Sequence, residues 1–178
     1  NILNSVIKFP YLKSMLLRKL GLFLFIIILL PSCSSSYEFL SNNSFDPQDD
    51  FSKYLLDEYK NKADFEAKKM HDWNSTKLYS EKALKAVDGI QLEPELISYW
   101  QIPKKHQSEL NTAYENLMKV YEMAINIAPY DLAVAISSLD CWAEQQEENW
   151  QTWDIEECKN NYLNALSNIY NTISYDEK

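Results

Sequence analysis

The sequence predicts an all-α fold of antiparallel helical hairpins. Beyond residue 50, apolar residues recur at spacings of three and four, which is the period of helices buried on one face. Only 2 of the 178 residues are glycine, too few for the tight turns of a hairpin-rich β fold. Hydrophobic residues make up 46% of the chain, too many for a disordered protein. We therefore expect one helical domain.

Four or five helices are predicted, separated by short links that contain Asp, Gly or Pro. The first has a buried face of Phe51, Tyr54, Leu55, Tyr59, Ala63, Ala67 and Met70, and the second spans Thr76 to Val87. A proline-bearing connector, residues 91–103, precedes a third helix from Lys104 to Ile127. The fourth helix runs from Leu132 to about Glu148 and the fifth from about Asp154 to Ile173. Short links favour antiparallel packing of consecutive helices.

Two segments, residues 73–86 and 121–139, resemble tetratricopeptide (TPR) units. Tyr79, Lys82, Ala83 and Leu84 match the second helix of such a unit. The pattern has no clean period, so an irregular helical bundle is the alternative to a TPR-like arrangement.

Residues 15–32 have the pattern of an export signal. Arg18 and Lys19 precede an apolar run, Leu20–Leu30, which is too short to span a bilayer as a helix. The run ends in Leu30-Pro31-Ser32-Cys33, which resembles the lipobox of bacterial lipoproteins. The resemblance implies cleavage before Cys33 and anchoring to membrane lipid through the acylated Cys33. A membrane-spanning anchor is the alternative.

The leader also predicts the organisation and location of the protein. Met15 is the first methionine, so residues 1–14 are predicted to be an upstream extension. By the sorting rule of the lipoprotein class, Ser34 after the lipidated cysteine implies the outer membrane, with the domain facing the periplasm. Residues 33–50 are rich in Ser, Asn and Asp and predict a flexible lipidated tether, followed by a helical periplasmic domain over residues 51–175.

Charge and composition exclude several functions. All 26 acidic residues follow Cys33, while the single arginine, Arg18, precedes it, so the domain lacks the basic surface that nucleic acid requires. Glycine-rich phosphate loops have no residues to be built from. His71 and His106 are isolated, so we expect neither a metal site nor a cofactor.

Residues 140–158 contain the most specific pattern. Cys141 and Cys158 are the only cysteines beyond Cys33, and export places them in an oxidising compartment, which predicts a disulfide between two facing helices. Closing this loop should contribute on the order of 3 kcal/mol. Two buried free thiols are the alternative.

Aromatic and acidic residues surround this pair and form a candidate interaction surface. We assign to it Trp142, Glu147, Glu148, Trp150 and Trp153. Tryptophans in a seam between helices are the structural alternative, and a catalytic pair of glutamates is the enzymatic one. Neighbouring glutamates are usually a solvated helix face, so no enzymatic activity is expected.

These residues belong to a longer segment that resembles the helical N-terminal region of alphaproteobacterial OmpA-family lipoproteins. The resemblance covers residues 50–165. It rests on Tyr54-Leu55, Glu58-Tyr59, Phe65-Glu66-Ala67, Asp72-Trp73, Lys82-Ala83-Leu84, Asp140-Cys141-Trp142, Glu144–Gln151, Asp154-Ile155 and Cys158. In that family a following OmpA-type module binds peptidoglycan; the residues of that module are not found here, so this activity is not carried over. We expect a non-enzymatic envelope component whose partner is another envelope protein or peptidoglycan. A glycan-binding module and a cell-wall hydrolase are the alternatives.

Overall fold

The computed structural model describes residues 35–176. Its helices are α1 (Ser35–Asn42), α2 (Asp50–Phe65), α3 (Trp73–Val87), α4 (Lys104–Ile127), α5 (Pro129–Glu148) and α6 (Thr152–Asp176), with a π-helical turn at Glu66–Met70 and a 3₁₀ turn at Ile97–Tyr99. Residues 35–176 contain no strand, so the all-α prediction is confirmed. The predicted extension (1–14), the signal peptide (15–32) and Cys33 lie outside the described residues. No helix in the described range has the length and hydropathy to cross a membrane.

Helix α1 corrects the prediction of a flexible tether over residues 35–42, which are the helical part of the predicted segment 33–50. Ser35–Asn42 is helical and packs against α3, with Leu40 completely buried. The Tyr37 hydroxyl donates a hydrogen bond of 2.8 Å to Asp64 in α2. The polar composition concealed these anchors because a helix of eight residues has too few apolar positions to show a period.

Helices α2 and α3 form the first predicted hairpin, with the π-helical turn at its tip. Phe51, Leu55, Tyr59 and Ala63 are buried as predicted. The ring of Tyr59 stacks on that of Tyr79 in α3, with centroids 6.1 Å apart. Helix α3 starts three residues earlier than predicted because Asp72 is its N-cap.

Helix α5 is the centre of the domain and contacts α2, α4 and α6. It begins at Pro129 rather than at the predicted Leu132, because proline fits the first helical turn, where its missing N–H needs no partner. Helix α4, which precedes it, has the predicted bounds. Unlike a surface helix, α5 is buried on nearly all sides, at Leu132, Ala133, Ala135, Ile136, Ser137, Ser138, Leu139, Asp140, Cys141, Trp142, Ala143, Glu144, Gln145 and Gln146.

The predicted disulfide joins α5 to α6. Cys141 and Cys158 are bonded, with their Cα atoms 5.7 Å apart. Beside the bond, the indole of Trp142 packs against Tyr162, with ring centroids 5.9 Å apart, and under the Lys159 ammonium group at 5.1 Å. The disulfide prediction is confirmed, and Trp142 lies in the helix seam.

A buried polar network connects α2, α3 and α5. Asp140, 1% exposed, accepts hydrogen bonds of 2.6 Å from the Tyr59 hydroxyl and 2.6 Å from the Lys82 ammonium group. Its second oxygen accepts one of 2.7 Å from the backbone N–H of Glu95, whose own carboxylate lies 3.0 Å from Lys82. Every charge in this network therefore has a partner, as a buried ion pair requires.

Candidate functional site

A cleft of about 410 Å³ opens where the tip of the α2–α3 hairpin meets the end of α5. We call it the acidic cleft; its lining residues are Glu66, Met70, His71, Asp72, Trp73, Asn74, Glu148 and Trp150. It is thus formed from two segments, residues 66–74 and 148–150, that lie far apart in the sequence.

The backbone around the cleft has unusual conformations. The π-helical turn ends at His71, which is left-handed with φ 57°, and α5 ends at Asn149, which is left-handed with φ 54°. Asparagine and histidine are among the residues that tolerate this region best, but neither is as free there as glycine. Both chain reversals aim the following residues, Asp72 and Trp150, into the cleft.

Three carboxyl groups come together at the cleft: Asp72 and Glu148 line it, and Glu144 adjoins them. One oxygen of each lies within 4.8 Å of the other two. Glu144 is 4% exposed, while Glu148 is exposed at the surface. Glutamates at positions 144 and 148 share a face of α5 because they are one helical turn apart.

Fixed donors hold these carboxylates in place. Asp72 accepts hydrogen bonds from the backbone N–H groups of Asn74 (2.8 Å) and Ser75 (3.0 Å). Glu144 accepts bonds of 2.6 Å from the Ser75 hydroxyl and 2.8 Å from the Gln145 amide. The indole N–H of Trp150 donates a bond of 3.0 Å to Glu148. The carboxylates are therefore oriented before any ligand arrives.

Glu66 adds a fourth carboxyl group to the cleft. It is 4% exposed, and the described residues offer its side chain neither a hydrogen bond nor an ion pair. Burial, followed by the negative charges of Glu144 and Asp154, raises the pKa of Glu66 to about 8. Burial also raises the pKa of Glu144 to about 7, against the opposing effect of its hydrogen bond from Ser75. These two groups hold protons near neutral pH that ordinary glutamates release.

Two exposed indoles flank the carboxylates. Trp73 is 48% exposed and Trp150 is 68% exposed. None of the lining residues is a lysine or an arginine, and the ion pairs of the described residues leave Glu66, Asp72, Glu144 and Glu148 without a cationic partner. The cleft therefore combines negative charge with apolar aromatic faces.

The structure brings only two of the five residues of the predicted interaction surface to this cleft. Glu148 and Trp150 line the acidic cleft. Trp142 does not belong to a surface because it is 2% exposed, packed between α5 and α6. Glu147 accepts a hydrogen bond of 2.6 Å from the backbone of Gln101, away from the cleft, and the 55%-exposed Trp153 does not line it.

The sequence prediction missed Glu66, Asp72, Trp73 and Glu144 as members of a site. In the sequence, Asp72-Trp73 and Glu144 contribute only to the OmpA-family resemblance, and Glu144 is buried rather than part of a solvated helix face. The spacing of Glu144 and Glu148 could have indicated a shared face. Sequence alone gave no signal that residues 66–73 lie opposite them.

Of the residues that support the OmpA-family resemblance, Glu66, Asp72, Trp73, Glu148 and Trp150 line this cleft. Comparison with protein-family models, with curated proteins and with solved structures finds no match for the chain. The OmpA-type relationship and the TPR-like arrangement stay predictions from the sequence.

Proposed function

We propose that this protein is a lipid-anchored, non-enzymatic component of the cell envelope that binds its partner at the acidic cleft. The observation that supports this site is the set of carboxyl groups, at Glu66, Asp72, Glu144 and Glu148, that lack a cationic partner within residues 35–176. Such a cleft attracts a ligand that brings positive charge. The adjoining indoles of Trp73 and Trp150 offer apolar contact and cation–π attraction.

The anchor is proposed from the leader. Cys33 follows a signal of lipobox type, and diacylation or triacylation of one residue gives lasting membrane attachment. With Ser34 next to it, we place the protein at the outer membrane with its helical domain towards the periplasm. Mass spectrometry of the protein from its native membrane should find acylated Cys33 at the N-terminus; an unmodified Cys33 still joined to its leader would refute this part.

The docking proposal is tested by crosslinking in intact envelopes. Replacing Trp150 by alanine or Glu148 by glutamine should abolish the crosslinked adduct, because both side chains line the cleft. Trp153→Ala is the matched control: Trp153 is a second exposed tryptophan outside the cleft and should leave the adduct intact. An adduct that survives both cleft variants, or recovery of no partner at all, contradicts the proposal.

A second candidate is the binding or hydrolysis of cell-wall glycan. It is favoured by a buried carboxyl, Glu144, with a raised pKa near two exposed tryptophans, since a general acid of this kind and aromatic platforms are typical of glycan sites. This candidate requires the chain to sediment with purified sacculi, and for hydrolysis to release muropeptides in a manner that Glu144→Gln abolishes. Glu147→Gln, outside the cleft, is the control. If the chain neither sediments with sacculi nor releases muropeptides, this candidate is ruled out.

A further inference from the structure

We infer that the acidic cleft binds a divalent metal cation of the Ca²⁺ class through Asp72, Glu144 and Glu148. The inference deepens the proposed function, on which it rests, by naming the ligand of the same cleft. One carboxylate oxygen of each residue lies within 4.8 Å of the other two. A single ion placed between three such oxygens is at most about 2.8 Å from each, so small side-chain adjustments reach the usual Ca²⁺–oxygen distance of about 2.3–2.6 Å.

The buried carboxyl group of Glu66 gives a second, independent reason to expect a cation. Its side chain is 4% exposed, lines the same cleft, and has no hydrogen-bond or ion-pair partner in the described part of the chain. Burying a carboxyl group without a partner is costly. A cation bound in the same cleft would stabilise the ionised form of Glu66.

The three ligand side chains are also supported as metal ligands usually are. Asp72 is held by two backbone N–H groups, Glu144 by Ser75 and Gln145, and Glu148 by the Trp150 indole. Outer hydrogen bonds of this kind fix the direction of ligands in metal sites. Because a carboxylate has four lone pairs, these bonds leave every group free to coordinate.

The ligand chemistry selects the metal class. Carboxylate oxygens are hard ligands suited to Ca²⁺, whereas a zinc site prefers thiolate or imidazole. Cys141 and Cys158 supply no thiolate, because they are bonded to each other. Three carboxylates provide fewer than the six to eight ligands that Ca²⁺ takes, so water or an oxygen atom of the docked partner completes the shell.

Calorimetric titration of Ca²⁺ into the full chain, purified in a mild non-ionic detergent and freed of metal with EDTA, tests the inference. We expect one ion per chain with a Kd between about 10⁻⁵ and 10⁻³ M. Glu148→Gln and Asp72→Asn should each raise the Kd about tenfold or more. Both variants should fold, since Glu148 is exposed and asparagine is a good N-cap. Glu156→Gln, which removes one exposed charge on α6, should leave the Kd within about twofold.

A second probe reports on location. Tb³⁺, a luminescent substitute for Ca²⁺, should emit when tryptophan is excited, because Trp73 and Trp150 flank the carboxylates, and Ca²⁺ should quench this emission by displacement. Absence of Ca²⁺ binding up to about 10 mM, or an unchanged Kd in both cleft variants, overturns the inference.

The inference and the proposed function fail separately. If no metal binds but the Trp150-dependent crosslink persists, the cleft takes a basic side chain of the partner; the metal inference is then wrong and the docking proposal stands. If Ca²⁺ binds as expected but no partner is recovered, the metal inference stands and the docking proposal falls.

Discussion

Replacing Asp140 by asparagine should destabilise the domain strongly. Asp140 accepts from Tyr59, Lys82 and the backbone of Glu95, at distances between 2.6 and 2.7 Å, and is 1% exposed. Asparagine keeps one oxygen but presents an NH₂ group, which cannot accept a hydrogen bond, in place of the other. The ammonium group of Lys82 then loses its buried counter-charge.

The structure sets the magnitude of this loss. Removing one partner of a buried ion pair costs about 3–5 kcal/mol. Glu95 still lies 3.0 Å from Lys82 and is partly exposed, so it compensates in part. We therefore expect a loss near the lower limit, about 3 kcal/mol, which corresponds to a fall in Tm of roughly 10 °C for a domain of this size.

Urea unfolding at neutral pH under oxidising conditions, followed by circular dichroism, measures this loss. Asp64→Asn is the matched control: Asp64 also accepts from a tyrosine and a lysine, Tyr37 and Lys68, at 2.8 Å, but near the surface, and should cost less than about 1 kcal/mol. Adding Lys82→Met to Asp140→Asn should recover part of the stability, because it removes the uncompensated charge. If Asp140→Asn costs no more than Asp64→Asn, the buried network does not stabilise the fold as described.

Three further predictions concern the cleft, the disulfide and α1. The pKa of Glu66 is raised from 4.5 to about 8, so its contribution to stability is present below about pH 4.5 and is lost as the pH rises through about 8. With EDTA present, Glu66→Gln should therefore be as stable as the wild type near pH 4.5 and about 1–2 kcal/mol more stable near pH 9. This difference in the free energy of unfolding is reduced for solvent screening in the open cleft. If the variant and the wild type had the same urea midpoint at pH 9 as well as at pH 4.5, the pKa assignment would be refuted. The groups that influence this titration are Glu144, Asp154, Asp72 and Glu148; Lys62 and Glu66 both line a second, smaller cavity. The double variant Cys141→Ser, Cys158→Ser should lose on the order of 3 kcal/mol in urea unfolding, and reduced wild type should unfold at the same midpoint; a double variant as stable as the oxidised protein would contradict a stabilising bond. Leu40→Ala should lower the free energy of unfolding in urea by about 2–4 kcal/mol. If α1 instead detaches alone, residues 35–49 should become sensitive to protease while the rest of the domain stays resistant. Full stability together with full protease resistance would show that Leu40 does not anchor α1.

The sequence predicted the helices whose apolar residues lie on one face. Helix α4 has the predicted bounds because its stripe, which includes Leu110, Leu117 and Tyr121, is regular and Pro103 and Pro129 bound it. The disulfide was predictable because the export signal predicted from the sequence implies an oxidising compartment, where two cysteines usually form a disulfide.

Other features depend on contacts that no local pattern reports. Lys82 and Asp140 form a buried pair across 58 positions of sequence, although lysine and aspartate are usually exposed. Helix α5 is buried on nearly all sides, so its glutamates and glutamines gave no amphipathic signal. The acidic cleft needs the π-helical turn and two left-handed residues, His71 and Asn149, none of which a hydrophobic period predicts.

Helix α5 has one further consequence, for how the protein can change. This single helix contains Asp140 of the ion pair, Cys141 of the disulfide, and the carboxyl groups of Glu144 and Glu148. Because its neighbours enclose it, the helix cannot shift or bend without disturbing several helices together. Adaptation of the cleft to a new ligand should therefore proceed through the hairpin tip at residues 66–74 and the residues after α5, while α5 itself tolerates little variation.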